Sequence, residues 1–299
     1  MRVLIIGNPS IGINPEKRAI VERIAKFIRE HEGTADIAYS YKRGYGRKLA
    51  AMASMEGYDA VYAAGGDGTV NDVAAGLVET DIPLGILPLC TGNGLARGLE
   101  IPLDPDGYLD VLKKHRVIAI DTGKIGPSYF FATAGIGYDS KIAYDYNKMF
   151  KAERSIPRYF YLGVKHYFMN RPEKITVIID GQEYKRDLFI LTIANTSQYG
   201  GGAKIAPQAD PTSGRLIAII IPKLNVIKAL FTMRKLFDGT IFQSKDIEFH
   251  EFTSLKIIRE NPGLYQVDGE AYEGTARMNV SVLPGALKVI VPPRFMPGK

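Results

Sequence analysis

Three short segments carry the residue types that hold phosphate-rich ligands. The first, Ala64-Gly65-Gly66-Asp67-Gly68-Thr69, lies between an apolar run and a helical pattern. Glycines around one carboxylate let the backbone approach a polyanion, and the next helix offers free N–H groups and the positive end of its dipole. The plainer reading is a tight strand-to-helix turn in which Asp67 only caps. A second segment, PLCTGNGLAR at 88–97, again ends a strand and opens a helix, with Thr91, Gly92 and Asn93 able to supplement backbone donors. A third, GNPSIG at 7–12, brings Asn8, Pro9 and Ser10. Each alone is an ordinary turn; three at three strand ends suit a nucleotide. Standard phosphate loops do not compete. Ile13-Asn14 stand where a Walker loop needs Lys-Ser/Thr, and Gly92-x-Gly94 lacks the third glycine of a dinucleotide fingerprint.

These loops need a scaffold, and the first 115 or so residues alternate as βαβ units do. Strands are expected at 2–6, 35–39, 60–64 and 84–87, and helices at 15–31, 46–55, 69–78, 92–99 and 104–114. The spacing predicts an α/β domain over 1–117 with a parallel sheet and ligands at the carboxyl ends of its strands. From 117 onward strands dominate, including 129–134, 279–283 and 287–291, and only 140–169 and 226–237 look helical. A β-rich second domain is expected over 118–286, with the tail 287–299 free to return to the first and the seam as the natural place for a site.

Composition narrows the classes. Of 299 residues, 46% are hydrophobic and 23% charged, which excludes a disordered chain. The net charge of +6 permits an anionic partner, but no Lys/Arg-dense run points to nucleic acid. The lone Cys90 reads as a small packing residue, and one cysteine makes neither a disulfide nor a zinc cluster, so a reducing, cytoplasmic setting is expected. No secretory signal is visible, and the longest apolar runs, such as 216–221, are strand length, so a membrane would be met at its surface. Segment 148–174 interleaves seven Lys/Arg with Phe150, Tyr159, Phe160, Tyr161, Tyr167 and Phe168, which suits an anionic bilayer, although a helix covering a sheet is the preferred reading. For 226–237 core packing is expected more strongly still. The four histidines lack metal-ligand spacing and read as structural or surface groups.

The motifs, in this order, resemble the catalytic domain of diacylglycerol and sphingoid-base kinases, including bacterial lipid kinases. GGDGTVND at 65–72, through Asn71, is followed some twenty residues later by PLCTGNGLARGLEIP. Asn8-Pro9 resembles the family's NPxSG with Ser and the variable position exchanged, and Ser40-Tyr41-Lys42-Arg43-Gly44 resembles the segment whose Thr or Ser touches the nucleotide. Asp121-Thr122-Gly123-Lys124, NTSQYGGG at 195–202 and Gln266-Val267-Asp268-Gly269-Glu270 match later family motifs. The resemblance implies an NAD-kinase/phosphofructokinase-like nucleotide domain, an antiparallel β-sandwich-like second domain, and transfer of a phosphoryl group from ATP, with magnesium, to a lipid hydroxyl. It implies Asp268 as the base, with Glu270 its neighbour and main alternative, and Asp67, Asp121, Asp268 and Glu270 as the magnesium-linked set. An extended strand would turn Asp268 and Glu270 to one side. Without the family, Asp268-Gly269 reads as a hairpin turn.

Two departures stand out. Gly94 replaces an Asp of many bacterial lipid kinases, and Ser213 stands where relatives with a structural metal have Asp, so that metal is not expected. The competing functions are an NAD kinase and a non-catalytic lipid- or nucleotide-binding homologue; peripheral membrane contact and a homodimer are left open.

Overall fold

The computed structural model describes residues 1–149 and 156–298. Two compact units divide the chain: Met1–Ile120 with Gly285–Met296, and Asp121–Pro284 with Pro297–Lys299.

In the first unit the order is β1 (Arg2–Gly7), α1 (Pro9–Ile13), α2 (Pro15–His31), β2 (Thr34–Tyr39), α3 (Tyr45–Met55), β3 (Ala60–Gly65), α4 (Asp67–Ala74), β4 (Leu84–Pro88), α5 (Gly94–Gly98) and α6 (Pro105–Lys113). Helix α2 shows why the sequence folds this way. The Asn14 side chain caps it by accepting from Lys17 N–H, Pro15 opens it, and Val21, Ile24, Ala25 and Ile28 form its buried stripe. Val21, Ile24 and Ile28 each contribute about 1.5–3 kcal/mol by leaving water. The sheet order is β2-β1-β3-β4 and every pairing is parallel. All six residues of β3 are buried, as a strand covered on both faces requires.

The second unit begins within β5 (Arg116–Ile125) and continues through β6 (Ser128–Phe130), β7 (Thr133–Gly137), α7 (Tyr138–Met149), α8 (Ile156–Met169), β8 (Glu173–Ile179), β9 (Gln182–Leu188), β10 (Ile190–Ala194) and β11 (Leu216–Ile221). Then follow α9 (Val226–Asp238), β12 (Glu248–Phe252), β13 (Ser254–Arg259), β14 (Gly263–Val267), β15 (Glu270–Gly274) and β16 (Arg277–Val291). The first part of β16 pairs antiparallel with β13, which continues to β8 and β9; its end joins β4 in parallel at Val289–Leu84 in the first unit. A second sheet has the order β12-β11-β10-β7-β14-β15. Alternate residues of both sheets, among them Ile175, Val177, Leu255 and Ile257 against Leu191, Ile193, Leu216 and Ala218, share one core, which makes a sandwich. On the other face of β11, Ile217, Ile219 and Ile221 pack with Ile205, Ile241 and Ile247, so this strand is buried throughout.

Several sequence expectations change. The expected strand 129–134 is split, because 131–132 serve as hydrogen-bonding partners of a turn described below. Strands 279–283 and 287–291 are one strand, bent at Gly285 with φ +59°. The single helix 140–169 is two helices, α7 and α8, and Phe150 falls in 150–155, outside the described residues. Cys90 is exposed rather than packed. The largest correction is α9, where core packing was expected and no residue is buried.

Candidate functional site

The rim of the first unit is built by register. Gly7 lies opposite Tyr39 and Ala64, and Gly65 opposite Pro88, so the carboxyl ends of β2, β1, β3 and β4 are level. Their loops carry Ser40, Asn8-Pro9-Ser10, Gly66 to Thr69 and Thr91 to Asn93. The chain moves from β1 to β2 on one side and to β3 on the other, so the switch point lies between β1 and β3, where open α/β sheets hold ligands. At that point Asn8 Nδ2 donates to Thr69 Oγ1 at 3.2 Å, and Asn8 Oδ1 accepts from Ser10 N at 3.0 Å and Ser10 Oγ at 2.5 Å. Pro9 opens α1, and Asn71 sits half-buried in α4. Ser40 N donates to Gly7 O, and its hydroxyl donates to Lys42 O at 3.1 Å.

Asp67 joins two of these loops. Its Oδ2 accepts from Asn93 N at 2.9 Å and its Oδ1 from Gly94 N at 2.6 Å. A Cβ on Gly92 would stand 2.4 Å from Asp67 Oδ2, and one on Gly66 would stand 2.9 Å from Cys90 Cβ, so both glycines are required for close loop packing. Gly94 supplies one of the N–H groups that hold Asp67. Asn93, in the left-handed region at φ +54°, donates its amide to Cys90 O. A carboxylate that the sequence reading did not single out, Asp72, accepts from Gly46 N at 2.9 Å and ties α3 to α4. Burial pushes its carboxyl above the usual range, against the N–H groups of Gly46, Arg47 and Gly44.

In the second unit Asp268 and Gly269 form the two-residue turn between β14 and β15, with φ +46° and +81° and Val267 paired to Glu270. Positive φ at both positions is the twist a tight hairpin needs, and Asp-Gly supplies it. Asp268 is therefore a turn residue, not a strand residue sharing a face with Glu270. Its Oδ2 accepts from Phe131 N at 3.0 Å, and its Oδ1 from Ala132 N at 2.9 Å and Thr133 N at 3.0 Å. Glu270 Oε2 accepts from Asn147 Nδ2 at 3.3 Å, and the same amide group reaches Gly269 O at 3.2 Å.

The segment 131–133 is gripped from its other side as well. Asn195 Nδ2 donates to Phe131 O and to Asp121 O, both at 2.8 Å, while Asp121 Oδ2 accepts from Gly214 N at 2.6 Å. The second unit thus links Asp121, Asn195, 131–133 and Asp268 in one polar layer. Behind the turn, Gln266 Oε1 accepts from Gly269 N at 3.0 Å and Gln266 Nε2 donates to Asp139 Oδ2 at 3.3 Å. Asp139 is buried at the start of α7, and desolvation pushes its carboxyl up to about 7 against the hydrogen bonds from Gln266 and Ser140. The reading of the sequence missed it; the only signal was a Tyr-Asp at a strand-to-helix junction.

Do these residues fit magnesium? Among the described residues no three His, Cys, Asp or Glu groups gather as ligands of one ion. The buried oxygens Thr122 Oγ1, Asn195 Oδ1 and Thr196 Oγ1, however, have no hydrogen-bond partner, and they neighbour Asp121 and its partner Asn195. Magnesium keeps several waters and takes phosphate oxygens, so Asp121 and these oxygens would supply only part of its shell. Of the histidines, His166 pairs with Asp145 at 2.9 Å and His31 stacks on Phe27.

Residues 2–125 match the diacylglycerol kinase catalytic domain, and residues 132–291 match the YegS C-terminal NAD kinase beta sandwich-like domain. The chain belongs to the YegS-type family of diacylglycerol kinase catalytic-domain proteins. It is thereby an enzyme of the lipid-kinase class. Proteins of Yersinia enterocolitica and Yersinia pestis, both named "Probable lipid kinase YegS-like", are 28% identical to it over 298 and 295 residues, 97% of each chain. A Bacillus anthracis str. Sterne structure described as a diacylglycerol kinase superposes with a TM-score of 0.75 at 20% identity, covering 99% of this chain and 98% of that one. A second structure from the same organism gives 0.80 at 19%, covering 99% and 96%; at these identities the likeness concerns the fold.

Proposed function

We propose that this enzyme transfers the γ-phosphoryl group of ATP, with magnesium, to the hydroxyl of a lipid such as a diacylglycerol or a sphingoid base. We place this activity in the cytoplasm, at a membrane surface. The observation that carries the reading is the level rim of four parallel strand ends, with Asn8 bonded to Thr69 at the switch point and Asp67 stapling the loops after β3 and β4.

Asn8, Ser10, Ser40, Gly66 to Thr69 and Thr91 to Asn93 would hold the nucleotide. The N-terminal N–H groups of α4 complement phosphate charge, while Asp67 keeps the Gly92-Asn93 loop closed against its neighbour. Asp268 would accept the proton of the lipid hydroxyl, with Glu270 beside it. Three N–H donors fix its carboxylate in place, so Asp268 is a well-oriented proton acceptor. That suits phosphoryl transfer, in which positioning and charge neutralisation outweigh proton abstraction. Magnesium would neutralise phosphate charge, with Asp67, Asp121, Asp268 and Glu270 as our proposed acidic set. The test is incubation of the pure protein with ATP, a total lipid extract and NAD, with products identified by mass. A lipid gaining one phosphate supports the reading; NADP alone would replace it with an NAD kinase, and no product would favour a non-catalytic binding protein.

A further inference from the structure

Helix α9 has the apolar periodicity of a core helix, yet it buries nothing. Ile227, Leu230, Phe231 and Phe237 are 68, 61, 64 and 55% exposed. It is held by its ends: the Asn225 side chain caps it through Lys228 N–H, and Leu236 O accepts from Lys204 N. Leu236 alone reaches the apolar cluster beneath β11. Scattered exposed apolar residues need no explanation, but one helix presenting them along its whole length marks an interaction surface.

The C-terminal end of α8 extends this surface. Tyr167 OH donates to Leu224 O, and Lys223 Nζ donates to Asn170 O at 2.7 Å, so the end of α8 meets the start of α9. Near this junction Phe168 and Met169 of α8 are 68 and 67% exposed, and Val226 and Ile227 of α9 are 47 and 68% exposed. Charge decides what covers them. Residues 156–171 hold three Lys/Arg and residues 222–237 hold four, and neither stretch contains an Asp or Glu. Lys228 pairs with Asp246 at 2.7 Å, which leaves Lys223, Arg234 and Lys235 as the cations of the second stretch without an ion pair among the described residues. A second copy of this face would meet it with like charge, which disfavours a self-complementary dimer. An anionic lipid surface answers both features, the cations meeting headgroups and the aromatic and aliphatic side chains entering the acyl boundary.

We infer that α9, together with the C-terminal end of α8, docks the enzyme onto an anionic bilayer. This deepens the lipid-kinase reading and rests on it for its purpose, but its test does not need turnover. The full-length protein is sedimented with phosphatidylcholine vesicles and with vesicles that also contain phosphatidylglycerol. Binding is expected only to the anionic vesicles and to weaken with salt. Arg234→Gln with Lys235→Gln is expected to weaken it about 30-fold. Leu230→Ser with Phe231→Ser is expected to weaken it about tenfold or more. None of these side chains is buried, so circular dichroism and phosphorylation of a short-chain, dispersed lipid alcohol are expected to stay at wild-type levels. Equal binding to neutral vesicles, no binding at all, or full binding by either double variant would overturn the inference. So would a dimer in size-exclusion chromatography that Leu230→Ser with Phe231→Ser dissociates. Vesicle binding without phosphorylation of any lipid would leave this surface standing and remove the kinase reading instead.

Discussion

Asp67 and Asp268 do the same local work in different settings. Each sits in a glycine-bearing turn, and each carboxylate gathers backbone N–H groups from a distant loop. Asp67 opens helix α4, so its loop is fixed for a ligand meeting a helix N-terminus. Asp268 lies between two antiparallel strands with φ +46°, on a backbone that offers no such dipole. A carboxylate in a glycine turn therefore says little by itself about chemistry. In the function we propose, the element it caps decides whether it shapes a phosphate rim or presents an oxygen to a proton.

The comparison breaks most visibly at Asp268. Asp268→Asn keeps a residue that tolerates positive φ, but it aims an amide at one of the three N–H groups and removes the anion. Turnover is expected to fall about 10²–10⁴-fold while calorimetric nucleotide affinity stays at the wild-type value. A rate near wild type would reduce Asp268 to a turn residue. Asp67→Ala is expected to do the reverse, leaving Asn93 and Gly94 N–H unpaired. Chemical denaturation should show a loss of about 2–4 kcal/mol, with nucleotide affinity falling before any effect on lipid binding.

Asp139 gives a graded test of the support behind the turn. Its folded-state carboxyl titrates at about 7, above the unfolded value, so the folded state holds a proton that the unfolded chain has released. Its contribution is complete below pH 4 or so and is lost as pH rises through about 7; between pH 5 and 7 the loss is about 2–3 kcal/mol. Thermal melts of Asp139→Asn should show a flatter pH dependence over that window. An unchanged slope would assign the buried proton elsewhere. The smallest effect is expected at Asn8, whose replacement by Ala removes the cap of α1 and the Thr69 contact for about 1 kcal/mol, read by the same melts.

The legible parts of the sequence are the local ones. GGDGT declares its turn within six residues, and β1 to β4 announce themselves because strands buried on both faces read as apolar runs. Asp268-Gly269 is equally local as a hairpin signal, but its partners at 131–133 lie some 135 positions away, and nothing in either stretch names the other. Asp139 shows the same blindness, since its hydrogen-bond partner Gln266 comes from a strand 127 positions away. Helices α2 and α9 carry the same apolar periodicity, yet α2 buries four residues and α9 none. A period specifies which face is apolar, not what covers it. The strand pattern broke at Pro284-Gly285 for a comparable reason, because a bend and an end look alike from within the chain.

The central claim is that the rim held by Asp67 and the turn made by Asp268 serve one phosphoryl transfer to lipid. Two parallel incubations with a total lipid extract test it most directly, one with ATP labelled at the γ-phosphate and one with ATP labelled at the α-phosphate. The account expects γ-label, and no α-label, to enter the organic phase as a lipid phosphomonoester. Label that stays wholly in the aqueous phase in both incubations, with the protein folded and ATP bound, would contradict it.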